Sequence, residues 1–195
     1  MATKTALTWE EFLAAGEEWQ RWEWVDGEVE FMSPVNIRHE AFLALLVELL
    51  VRYCRAHPDW ICLTSNGVFT MASGNWRMPD ASLVRRAQFP AGQFPVKADF
   101  PPDVAFEIHS PTDSPLDVGA RHGVPLPDAI FETHCDSPGQ IQRKRKDYQE
   151  SGVIQVWFDL ERRLVELIYP DRPLQYFEEK PGIGYRYRSG FLPRP

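Results

Sequence analysis

The period of apolar and polar positions changes several times along the chain, and each change marks an element. Thr8 precedes Trp9-Glu10-Glu11 in a Thr-x-x-Glu capping box, and Phe12 and Leu13 give the following turn an apolar face. Trp22 to Met32 then alternates about Asp26-Gly27, the dipeptide best suited to a two-residue hairpin turn, and Ser33-Pro34 ends the run. From about Arg38 to Arg55 the period lengthens. Ala41, Leu43, Leu45, Leu46, Leu49, Leu50 and Tyr53 predict a long helix whose broad apolar stripe needs a sheet beneath it, and His57-Pro58-Asp59 stops it. Strands are expected at Trp60–Thr64, Val68–Met71 and Met78–Arg85, separated by Asn66-Gly67 and Ser73-Gly74-Asn75.

After a Pro-containing loop, 87–102, the chain alternates strictly. Val104, Phe106 and Ile108 take one face of a strand, and Asp103, Ala105, Glu107 and His109 take the other. Residues 110–140 are irregular and rich in Pro and Gly. A basic helix is expected from about Ile141 to Ser151, with Gly152 placed to end it. Ile154–Leu160, Arg163–Tyr169, Leu174–Glu179 and Tyr185–Arg188 read as a closing β-meander. The expected fold is α/β (α+β): two main helices on a mixed sheet, with an N-terminal β-hairpin and a C-terminal meander.

Composition narrows this picture. With 195 residues, 44% hydrophobic and 25% charged, the chain suffices for one core, so 1–195 is read as a single domain carrying a long inserted segment at 113–140. The net charge of −7 excludes a protein that coats nucleic acid in bulk but leaves room for a local basic rim. Cys54, Cys62 and Cys135 form no CxxC pair and are read as reduced thiols. With no apolar run of about 18 residues and no apolar segment after Met1, the expectation is a cytoplasmic protein without a membrane anchor.

The chemistry lies where charge interrupts apolar strands. Asp80 follows Pro79 at the start of one strand, and Glu107 stands in the middle of another. Carboxylates on core strands are costly unless paired or metal-bound. Two of them on neighbouring strands suit a hard cation such as Mg²⁺ or Mn²⁺, and Lys144 or Lys146 on the next helix could neutralise charge developing on a phosphate. This combination suggests phosphodiester hydrolysis. The bland readings are a turn aspartate at 80, a salt-bridged glutamate at 107 (to Arg85 or Lys144) and a solvated face for Arg143-Lys-Arg-Lys146. His122, His134, Cys135 and Asp136 match no structural-zinc spacing, and Tyr185-Arg-Tyr-Arg188 reads as a surface strand.

Pro79-Asp80 and Glu107-Ile-His109 resemble the PD-(D/E)xK nuclease superfamily. More narrowly, the ordered series Thr8-Trp-Glu-Glu-Phe12, Glu23-Trp-Val-Asp-Gly-Glu28, Met32-Ser-Pro34 with His39, Pro102-Asp103-Val-Ala-Phe-Glu107, Ser110-Pro-Thr112, Lys144-Arg-Lys-Asp-Tyr148 and Gly152-Val-Ile-Gln-Val-Trp157 resembles the bacterial Uma family of restriction endonuclease-like proteins. The resemblance implies a restriction endonuclease-like fold and a Mg²⁺- or Mn²⁺-dependent endonuclease acting on nucleic acid, DNA in the first place, as a homodimer. It implies Asp80 and Glu107 as metal ligands and Lys144 as the catalytic lysine, with Lys146 as its neighbour in another register. His109 stands where the superfamily's own lysine would, and Glu23, His39 and Glu40 are secondary candidates. The rival reading is a catalytically silent binding module. The chain departs from the family in the long Asp113–Gln140 stretch and in Gln155-Val156 before Trp157.

Overall fold

The computed structural model describes residues 22–32, 36–65, 67–89, 93–109 and 138–180, and the backbone of 184–189. The Thr8 capping box, the candidate zinc residues and nearly all of the 113–140 segment lie outside them.

Strands β1 (Trp22–Val25) and β2 (Glu28–Phe31) form the expected hairpin. Asp26 and Gly27 both take positive φ, 53° and 83°, which a two-residue turn matched to strand twist requires. Helix α1 (Ile37–Ala56) starts at Asn36, whose side chain accepts a hydrogen bond from the His39 N–H at 2.9 Å. Strands β3 (Trp60–Thr64), β4 (Val68–Thr70), β5 (Trp76–Arg77), β6 (Ala81–Arg85), β7 (Lys97–Ala98) and β8 (Val104–His109) follow. Helix α2 (Pro138–Glu150) leads into β9 (Ile154–Asp159), β10 (Leu164–Ile168), β11 (Gln175–Lys180) and β12 (Gly184–Ser189). Helix α2 begins three residues earlier than the sequence pattern indicated, so the last residues of the 113–140 segment belong to it. Gly152 at φ 72° ends α2, with the Val153 N–H returning to the Tyr148 carbonyl at 2.9 Å.

The strands build two sheets. The larger runs β12-β11-β10-β9-β8-β6-β3 and is antiparallel except for β8 and β9, which pair in parallel across the α2 crossover. The smaller runs β2-β1-β5-β4-β7. The expected Met78–Arg85 strand is therefore shortened to Ala81–Arg85, and a separate two-residue strand that the sequence did not indicate precedes it. Trp76-Arg77 pairs in the small sheet, Ala81–Arg85 in the large one, and Met78-Pro79-Asp80 crosses between them.

Alternation along the strands splits the core into two layers. Leu43, Leu46 and Leu50 of α1 pack on Ala81, Leu83, Phe106 and Ile108. On the opposite face Phe69, Met71 and Tyr148 pack on Val84, Ala105 and Trp157. The α1 stripe is narrower than its sequence suggests, because Leu45 and Leu49 are 64% and 60% exposed. No helix among the described residues is long and apolar enough to cross a membrane.

Candidate active site

The α2 face of the large sheet carries the buried charge. The β6–β8 register pairs Ala81 with Phe106, and one further step sets Asp80 opposite Glu107 on this face. Cross-strand neighbours of this kind have Cβ atoms about 5 Å apart. Asp80 Oδ2 accepts from the Ile108 N–H at 2.8 Å and lies 3.2 Å from His39 Nε2. The Asn36 cap fixes the first turn of α1, which puts His39 in place.

Glu107 is held from α2. Lys144 Nζ donates to Glu107 Oε2 at 3.3 Å, and the Tyr148 hydroxyl donates to Oε1 at 2.6 Å. Lys144 and Tyr148 are four residues apart, one turn along a buried face, so a single helix grips both oxygens. The same ammonium lies 3.3 Å from Glu23 Oε1. Glu23 pairs across the small sheet with Arg77, whose Nη1 donates to Glu23 Oε2 at 2.7 Å, and the Met78 N–H donates to Oε1. Arg77 Nε also donates to Asp147 Oδ2 at 2.8 Å, tying α2 to the small sheet. Asn75 and Ser73 donate to the remaining Asp147 oxygen.

Electrostatics separates the two central carboxylates. Burial, reinforced by Asp80 and Glu23, pushes Glu107 up to about 8 despite the pull of Lys144 and Tyr148. Burial opposes ionisation of Asp80 too. The bond and charge of His39, with Lys144 and the Ile108 N–H, outweigh it and hold Asp80 below its ordinary value. Tyr148 is raised by burial and by the neighbouring Glu107 charge, so its phenol stays a donor.

A divalent ion fits this charge inventory. Glu23, Asp80, Glu107 and Asp147 are all buried, against two permanent cations, Arg77 and Lys144. With Glu107 protonated the cluster is close to balanced; once Glu107 releases its proton, a doubly charged ion beside Asp80 and Glu107 would offset the added negative charge. Among the described residues no three His, Cys, Asp or Glu side chains already converge in ligating geometry. Glu107 is engaged by Lys144 and Tyr148 instead, so loading an ion would require its carboxylate to turn.

Asp80, Glu107, Lys144, Glu23 and His39 thus come together. Lys146 does not: it is 72% exposed and pairs with Glu150 at 3.8 Å. Glu40 is also at the surface, 3.6 Å from His39 Nδ1. His109 follows Glu107 at the end of β8 and lines a neighbouring cavity with Arg145. Sequence reasoning missed Arg77, Asp147 and the role of Tyr148. The available signal was an arginine between Trp76 and Met78, in a segment too apolar for a free charge.

The domain is of mixed α+β fold, with crossover helix α2 over the parallel strand pair, and this fold is shared with a solved nuclease-like structure. The Uma2 family, described as "Putative restriction endonuclease", matches residues 9–183, and the chain belongs to this family. The chain is also similar to a crystal structure described as a "putative nuclease belonging to DUF820" from Anabaena variabilis. The TM-score is 0.67 at 16% identity, covering 97% of this chain and 89% of that one. No curated protein matches the sequence.

Proposed function

We propose that the protein is a Mg²⁺- or Mn²⁺-dependent endonuclease that hydrolyses phosphodiester bonds in DNA, with Asp80 and Glu107 as metal ligands, His39 beside them, and Lys144 as the catalytic cation. The observation that carries this is the buried Glu107 beside Asp80 with the Lys144 ammonium 3.3 Å from its carboxylate, in a chain of the Uma2 family. A bound divalent ion would supply Lewis-acid polarisation of a phosphoryl oxygen and acidify water.

The protein's own groups have separable roles. Lys144, held between Glu107 and Glu23 by 3.3 Å contacts, presents an ammonium whose charge offsets the negative charge building on the phosphoryl oxygens. Tyr148 orients the Glu107 carboxylate, and the Ile108 N–H and His39 orient Asp80. Arg77 and Asp147 position Glu23 and α2 without touching substrate.

One observation favours a second reading, a silent binding module: Lys144 and Tyr148 already satisfy both Glu107 oxygens. Calorimetric titration with Mn²⁺ separates the two. The endonuclease binds Mn²⁺, and both binding and metal-dependent cleavage of plasmid DNA disappear in Asp80→Ala and Glu107→Ala while the circular dichroism spectrum is kept. Cleavage surviving in both variants rejects the site, and a flat titration of the unaltered chain selects the silent module.

A further inference from the structure

The turn Leu160–Arg163, which joins β9 to β10, sits at the same end of the large sheet as the candidate active site. Parallel pairing puts Asp159 beside His109, two residues beyond Glu107, and the Leu160 N–H donates to the His109 carbonyl at 3.1 Å. Arg38, the residue before His39, donates from Nη2 to the Leu160 carbonyl at 2.6 Å. One side of the turn is thus tied to the strand that carries Glu107 and the other to the helix turn that carries His39. Asp159 Oδ1 accepts from the Glu161 and Arg162 N–H groups, and Arg163 takes a left-handed φ of 52°, uncommon outside glycine.

This turn projects Arg162 and Arg163, 63% and 61% exposed. Each has a carboxylate neighbour, Asp159 at 3.8 Å and Glu179 at 3.4 Å, but exposed pairs at such distances are weak and leave the guanidinium available. Cavities of about 220 and 260 Å³ open on the two sides of the turn, sharing Phe158, Asp159 and Leu164. Arg38 and Arg163 line the first, and His109, Arg145 and Arg162 line the second. Asp159, Glu161, Glu166 and Glu179 line the same cavities, so this sheet end is close to balanced on a chain of net charge −7, and Arg162 and Arg163 are among its exposed cations.

We propose that Arg162 and Arg163, braced by Arg38, form a phosphate-gripping rim that holds the nucleic-acid backbone to one side of the scissile bond. The proposal rests on the nuclease reading of the neighbouring site and adds to it the surface that positions the substrate. Guanidinium groups suit this task because their planar donor fork matches phosphate oxygens. Phosphate contacts contribute affinity without sequence preference, so the rim's signature is the salt dependence of binding.

The test is fluorescence anisotropy of a labelled DNA duplex over a series of salt concentrations, repeated with a labelled RNA. The proteins compared are the unaltered chain, Arg162→Glu/Arg163→Glu, and Arg52→Glu at the far end of α1, where the side chain is 69% exposed. A neutral pair, Arg162→Gln/Arg163→Gly, keeps the left-handed backbone and guards against misfolding. Charge reversal is expected to weaken DNA binding about tenfold or more and to lower the slope of log affinity against log salt by about 1 per lost contact. The neutral pair should lie between, Arg52→Glu should match the unaltered chain, and Mn²⁺ binding should be unchanged throughout. Unchanged affinity and slope in both rim variants would overturn the rim, as would an equal loss in Arg52→Glu or no affinity of the unaltered chain for either nucleic acid. Failure of the nuclease reading is seen separately, as absence of the Asp80-dependent Mn²⁺ heat.

Discussion

The two faces of the large sheet are made by alternate residues of the same strands, yet they are different materials. Toward α1, Leu83, Phe106 and Ile108 meet Leu43, Leu46 and Leu50, a dry contact whose free energy scales with apolar area. Toward α2, Glu107 meets Lys144 and Tyr148, while Asp80 beside it is held by His39 and the Ile108 N–H, in a layer where every charge needs a partner. Phe106, Glu107 and Ile108 are consecutive, so the strand period of two places a costly carboxylate between two stabilising side chains. The apolar face holds the strands in register. The charged face uses that rigidity to keep mutually repelling groups together, which an unsupported site could not do.

The sharpest way to break the charged face is Arg77→Ala. Arg77 is fully buried between Glu23 and Asp147, and its removal strands two carboxylates at once. Loss of one partner of a buried ion pair costs about 3–5 kcal/mol. Chemical denaturation should show at least that loss, and metal-dependent cleavage should fall with it because Glu23 and α2 lose their tether. A loss below about 1 kcal/mol would mean that water reaches the network freely.

The apolar face should answer differently. Leu46→Ala removes a buried side chain from the α1 layer and is expected to cost about 2–5 kcal/mol. Cleavage per folded molecule and Mn²⁺ affinity should stay unchanged, measured well below the melting temperature. Coupling of this substitution to metal affinity would show that the two faces are not independent.

The contrast also explains what could be read from the sequence. Strict alternation from Asp103 to His109 set Glu107 apart from its apolar neighbours, and the basic helix that follows offered Lys144 as its partner. Those signals are local. The small sheet was not legible, because β5 and β7 are two residues each and their partners lie far away in sequence. Arg77 looked like an interruption between apolar residues, since the charges that satisfy it come from β1 and α2. Leu45 and Leu49 were assigned to the core because they share the apolar character of the stripe. Only the position of α1 on the sheet shows which leucines face it.

The last effect concerns protons, and it distinguishes the faces without changing a contact between them. Glu107 rises from 4.5 to about 8 on folding, so the folded chain retains a proton that the unfolded chain releases. Its contribution to stability is complete below the unfolded value and is lost as pH climbs through the folded one. The metal-free protein should therefore melt at progressively lower temperature between about pH 5 and pH 8. Asp80 has the opposite sign: its folded value is depressed, so its contribution is present above the unfolded value and is lost only in acid, which leaves this window flat. Glu107→Gln fixes the neutral form and should remove much of the decline, melting above the unaltered chain at pH 8. Leu46→Ala should shift the whole curve downward and keep its slope. Added Mn²⁺ should reverse the trend, because coordination requires the carboxylate and becomes stronger as the proton leaves. Identical pH slopes for the unaltered chain and Glu107→Gln would mean that Glu107 is ionised in the folded protein, so that Lys144 alone outweighs the cost of its burial.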